Sequence, residues 1–203
     1  FNGTVNCNQM NIADLTGIGA FTALTELICW GNQLTSLDVS NNTALTYLHC
    51  APAGIFNQLT SLDISNNINL NTLICPNNQI SSLDVSQNTA LTSLSCSNNQ
   101  LDSLDVSNNT NLGWLDCNNN QLTSLDVRNG NNTNFIYFNG TSNPNLTCIN
   151  VDDVFYSTTI WANIDPQHYF STNCPPSAIQ ELTINKELLK ITDLLAREIK
   201  QTN

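Results

Sequence analysis

The chain has 203 residues, only a tenth of them charged, and 16 acidic against 5 basic side chains give a formal net charge of −11. Four of the five bases (Lys186, Lys190, Arg197, Lys200) lie in the last eighteen positions, so residues 1–180 carry one base, Arg128. Such a surface repels phosphate backbones and anionic lipid, and no apolar run reaches the roughly 18 residues of a membrane span, which argues against nucleic acid and membrane insertion.

In chain order the sequence is a repeat. Residues 1–22 are a degenerate first unit with Val5, Cys7, Ile12 and Leu15 in apolar positions, and the opening at Phe1, without a start Met or signal peptide, predicts a fragment whose targeting sequence has been removed. Residues 23–43 give the full 21-residue pattern, ALTELICWGNQLTSLDVSNNT. Residues 44–68 repeat it with four extra residues within 51–56, and residues 69–89, 90–110 and 111–131 follow it closely. Residues 132 to about 151 keep Phe135, Phe138, Leu146, Ile149 and Val151, for about seven coils in all.

Within a coil the pattern LxxLx(C/V)xxN occurs twice, as Leu24, Leu27, Cys29, Asn32 and then Leu34, Leu37, Val39, Asn42. Alternate residues of a strand share a face, so each half predicts one short strand with its apolar residues inward. The result is a mainly β solenoid, a compact rod whose two parallel sheets face each other across Leu, Cys and Val, with coils about 4.8 Å apart. Each coil buries about six apolar side chains at roughly 1.5 to 3 kcal/mol apiece before entropy, so no coil is stable alone. The recurring Asn32, Asn57, Asn78, Asn99, Asn120 and Asn42, Asn67, Asn88, Asn109 fall where the chain leaves each strand, and their amides are expected to satisfy turn backbone groups.

The motif LxxLxCxxNQLxxLDVSxNxx resembles the leucine-rich-repeat family, most closely its 21-residue bacterial class with the LxxLxCxxNxLxxLDL signature, over residues 1–151. The resemblance implies a right-handed solenoid and binding on the sheet formed by the LxC strands.

Cys7, Cys29, Cys50, Cys75, Cys96 and Cys117 share one repeat position and form one internal column. Parallel Cβ vectors leave them too far apart for disulfides, so buried free thiols are expected. A straight column does not enclose a tetrahedron, and there is no CxxC, so no metal site is expected there. Cys148 and Cys174 flank an aromatic segment with Phe155, Tyr156, Trp161, Tyr169 and Phe170. That segment, residues 152–174, is expected to be a C-terminal cap closed by a disulfide across a loop of about 25 residues, which implies an oxidising, exported setting.

Pro175 and Pro176 open a last region, 175–203, of different composition. Leu188, Leu189, Ile191, Leu194, Leu195 and Ile199 suit an amphipathic helix. The stretch NKELLKITDLLAREIKQT also resembles the first part of the C-terminal sorting domain of the Bacteroidetes type IX secretion system, with Ala196 where that family has Gly and without the domain's later strands. The resemblance implies a truncated sorting segment and a secreted or cell-surface parent.

The repeats serve as an internal alignment. On the LxxLDV half the outward residues barely change, from Ser36, Asp38, Ser40 to Ser124, Asp126, Arg128, which suggests scaffold. The stacked carboxylates Asp38, Asp63, Asp84, Asp105 and Asp126 are expected to accept local hydrogen bonds; calcium coordination is the weaker alternative, and an ice-binding hydroxyl array weaker still. On the LxC half the outward triplets differ from coil to coil, with Trp30, Tyr47 and His49 near the insertion and Trp114 beside Tyr137. Exposed aromatics on a polar sheet suit sugar stacking or protein hot spots. With two His and no paired carboxylates in contrasting environments, catalysis is not expected, and neither is a cofactor. The expectation is a monomeric extracellular or cell-surface adhesion module that recognises polysaccharide or a surface protein, with a structural spacer as the alternative.

Overall fold

The computed structural model describes residues 2–51 and 58–175. Asn57, the inserted Ile55 and Phe56, and the segment 177–203 with its sorting-domain resemblance lie outside the described residues. The chain comprises two compact units, Phe1–Asn173 and Cys174–Asn203, and the second is described only at Cys174 and Pro175.

In the first unit, one strand from each of the first seven coils joins a parallel sheet: β1 (Asn2–Asn6), β2 (Ala23–Ile28), β3 (Tyr47–His49), β4 (Thr72–Ile74), β5 (Ser93–Ser95), β7 (Trp114–Asp116) and β9 (Tyr137–Asn139). The register is strict: Leu27, Leu48, Leu73, Leu94, Leu115 and Phe138 are successive partners. All six point inward and are buried, which is the period-two alternation written into LxxLxC. A four-stranded parallel sheet lies across the core, made of β6 (Ser103–Asp105), β8 (Ser124–Asp126), β10 (Cys148–Asn150) and β11 (Tyr169–Ser171).

Two expectations change. The LxxLDV halves of coils 2 to 4 keep Leu37, Val39, Leu62, Ile64, Leu83 and Val85 buried but contribute no strand among the described residues. There the coils are tied by Gln58 N–H to Leu34 O, Gln79 N–H to Leu59 O and by the Asn side chains, while the Asp side chains take up the local N–H groups. In coils 5 to 7 added bonds, such as Thr123 N–H to Asp102 O and Val106 N–H to Asp126 O, complete a ladder. The second difference is an eighth turn beyond the expected seven, because β11 pairs in register with β10 as any further coil would. Helix α1 (Val154–Ile160), N-capped by the Asp153 carboxylate accepting from Tyr156 N–H at 2.9 Å, lies in that turn. Trp161 after it is buried and stacks on Phe138 at 4.2 Å, with Phe135 and Phe170 at 5.3 and 5.6 Å, while Phe155 stays exposed.

Each full coil supplies six core side chains, as with Leu91, Leu94, Cys96, Leu101, Leu104 and Val106. The Asn side chains knit coils together. Asn99 Nδ2 donates to Cys75 O, Cys96 O and Ser97 O, and its Oδ1 accepts from Ile80 N–H. Asn32, Asn78 and Asn120 repeat this arrangement, and Asn143 extends it to coil 7. The residue before the ladder Asn adopts a left-handed conformation: Asn77 and Asn98 at φ 55°, Asn119 at 51° and Gly31 at 68°. Asn and Gly tolerate that region best, which explains the NN and GN doublets.

Candidate functional site

The seven-stranded sheet presents its outward residues in three columns fixed by the strand register. Tyr47, Thr72, Ser93, Trp114 and Tyr137 form the first, and His49, Ile74, Ser95, Asp116 and Asn139 the second. The third runs through Trp30, Pro76, Ser97, Asn118 and Thr141, two residues further along each coil.

The five aromatic and imidazole residues singled out from the sequence fall into two groups. Trp30 and His49 have ring centroids 6.1 Å apart, and Tyr47 meets His49 edge-on at 6.3 Å. All three are half-buried, and burial lowers the His49 pKa. Trp114 and Tyr137 stack at 4.2 Å with planes 15° apart, and Trp114 remains 40% exposed. Short residues, Thr72 and Ser93, separate the groups, and Tyr47 and Trp114 stand three coil spacings or roughly 14 Å apart.

Beside Trp114, Asp116 is a half-buried carboxylate whose pKa is raised by burial, opposed by hydrogen bonds from Asn118 N–H and the Ser97 and Asn139 side chains. Asn118 Oδ1 is buried and accepts no hydrogen bond. Sequence reasoning placed these two in the variable triplets without singling them out; a carboxylate between neutral neighbours on a half-buried strand was the available signal.

On the opposite side the Asp residues repeat one local bond. Oδ1 of Asp38, Asp63, Asp84, Asp105 and Asp126 accepts the backbone N–H two residues on, at 2.8 to 3.0 Å. These bonds are Asx turns, and with the Ser40, Ser65 and Ser86 side chains they lower the pKa of Asp38, Asp63 and Asp84. For Asp126, burial acts upward but is outweighed by Arg128, which pairs with it at 2.5 Å and reaches Thr172 O at 3.0 Å. A furrow of about 330 Å³ runs across β6, from Ser82 and Asp84 past Asp105 to Ser124. Among the described residues no three His, Cys, Asp or Glu side chains converge as a metal site.

Inside, Cys7, Cys29, Cys50, Cys75, Cys96 and Cys117 form a column of buried thiols. Burial raises their pKa values, Cys75 and Cys117 to about 12, so they remain protonated and unreactive in the fold. The column ends at Gly140, where a Cβ would approach Phe138 Cζ at 3.2 Å: the larger Phe138 fills the space that Leu and Cys share in earlier coils. Cys148 and Cys174 are disulfide-bonded.

These features define a leucine-rich-repeat, internalin-like β-solenoid. The chain is related to internalin J of Listeria monocytogenes, with 50% identity over 40 residues that make up 20% of this chain and 4% of that protein. The structure described as the functional domain of InlJ, which includes a cysteine ladder, superposes with a TM-score of 0.65 at 34% identity, over 85% of this chain and 41% of that one. An internalin (inlF) structure from the same species shares the fold, with a TM-score of 0.60 and 22% identity over 85% of this chain and 54% of its own length. The chain thus spans less than half of the InlJ domain. No family model matches the sequence.

Proposed function

We propose that the chain is an extracellular or cell-surface binding and adhesion module that recognises a surface protein or an extracellular polysaccharide through the outward face of the seven-stranded sheet. Trp30, Tyr47, His49, Trp114 and Tyr137 are its contact residues. The observation that carries this reading is the contrast between two sides of one repeat: the Asp-bearing side is spent on identical Asx turns, while the other changes from coil to coil and holds both aromatic groups. The relation to internalin J supports an exported protein-binding role over an enzymatic one. In this reading residues 1–151 are the right-handed repeat body, and residues 152–174 are a cap whose Trp161 and Phe170 cover the last core layer.

The test is a pull-down against extracellular proteins together with a glycan array, run on the wild type and on Trp30→Ala with Trp114→Ala. Reproducible binding that the double substitution abolishes supports the proposal. Absence of binding by the wild type makes the chain a spacer.

A further inference from the structure

Trp114 is held between unequal neighbours. In register it lies beside Ser93 on one side and Tyr137 on the other. Tyr137 occupies one face of the indole at 4.2 Å. The hydroxymethyl of Ser93 is too short to cover the other face, and beyond it Thr72 is also short. The ring is therefore backed on one side and open over coils 5 and 4.

Two residues along the same strand, hence on the same face, stands Asp116. Its carboxylate is half-buried and bonded only by neutral groups, Asn118 N–H at 3.5 Å and the Ser97 and Asn139 side chains. The described residues hold twelve carboxylates and one base, Arg128, which is engaged on the other sheet by Asp126. Two residues further on, beneath the surface, the buried Asn118 Oδ1 lacks a donor. An open indole face, a carboxylate without a cation and an amide oxygen without a donor thus follow one another along one coil.

We propose that this notch receives a guanidinium or ammonium side chain of a basic partner polypeptide, stacked on the open face of Trp114 and ion-paired with Asp116. Cation–π attraction and a carboxylate at one position recognise a basic side chain by two independent means. The surrounding excess of acid draws such a partner in and turns acidic ones away. A neutral sugar would cover the indole but leave the Asp116 charge uncompensated. The inference rests on the seven-stranded sheet being the binding face, and it specifies what one part of that face takes.

The experiment follows the Trp114 indole N–H resonance of the ¹⁵N-labelled full chain, assigned by its disappearance in Trp114→Phe. It is titrated separately with decapeptides of alternating Gly-Arg, Gly-Glu and Gly-Ser and with a neutral gluco-oligosaccharide. The Gly-Arg peptide is expected to shift the resonance saturably, about tenfold more weakly in Asp116→Asn and more weakly as salt is added. Asp116→Asn should leave the melting temperature unchanged or raised, because it removes a half-buried charge. Equal shifts with the oligosaccharide or the Gly-Ser peptide, or undiminished Gly-Arg affinity in Asp116→Asn, overturn the cation notch and leave the binding face standing. Silence of the resonance to every probe also overturns the notch, whereas the fate of the face is decided separately by the Trp30→Ala and Trp114→Ala captures.

Discussion

Replacing Asn99 by Ala and Asn88 by Ala separates the two asparagine ladders. Asn99 Oδ1, at 3.0 Å, is the acceptor the structure provides for the buried Ile80 N–H. The carbonyls that Asn99 serves keep second donors, since Cys75 O also accepts from Asn78 and Cys96 O from Asn120. Asn99→Ala therefore strands one buried N–H, at about 1–3 kcal/mol, and loses the remaining amide bonds and packing, for about 2–4 kcal/mol in all. Asn88 differs: its Nδ2 donates to Ile64 O and Asn67 O, which keep the backbone donors Asn67 N–H and Leu70 N–H, and its own Oδ1 has no partner. Removing it takes away an unsatisfied acceptor, so Asn88→Ala should cost only about 1 kcal/mol. Urea denaturation followed by circular dichroism, compared at equal m-values, reads both numbers. A cost for Asn88→Ala equal to or above that of Asn99→Ala refutes the account of how the coils are joined.

Other outcomes follow from the same geometry. Asp38, Asp63 and Asp84 have folded pKa values below their unfolded ones, so their stabilisation is complete above about pH 4 and lost as pH falls through the folded values. Thermal unfolding between pH 2 and pH 7 should show that loss and show it reduced in Asp63→Asn; identical profiles would contradict the Asx-turn assignment. Gly140→Cys should destabilise through the Phe138 ring, and Phe138→Leu with Gly140→Cys should recover part of the loss, measured as a double-mutant cycle whose coupling vanishes if the Phe and Gly are independent. Reduction of the Cys148 and Cys174 disulfide should lower stability by about 2–4 kcal/mol, and the six column thiols should react with a thiol reagent only after unfolding; immediate reaction of all six would contradict their burial.

The repeat was legible because its inward residues recur at fixed spacing through coils 2 to 6, and the aromatic groups because the coils act as copies to compare. The missing strands in coils 2 to 4 were not legible: Ser-Leu-Asp-Val reads the same in Ser82–Val85 and Ser103–Val106, yet only the second joins a ladder. The difference lies in contacts with the following coils, where Asp126 and Asn150 carbonyls accept from Val106 and Val127 N–H. The eighth turn was hidden because α1 and Trp161 replace the LxC pattern, and only the pairing of β11 with β10 exposes it. Asn143 escaped notice for a similar reason, as Ser142 at φ 59° stands where earlier coils have Asn or Gly. The notch at Asp116 depends on what Ser93 fails to cover, an arrangement between coils that the pattern within one coil does not contain.

The central claim is that binding belongs to the outward face of the seven-stranded sheet, and one comparison tests it most directly. Trp30→Ala with Trp114→Ala is set against Ser82→Ala with Ser103→Ala on the opposite side, with unchanged unfolding curves as the control for both. The affinity of each for any protein or glycan captured by the wild type is then measured. The account predicts at least about a tenfold loss for the first pair and none for the second. Equal affinity in the two pairs, or loss only in the second, would contradict it.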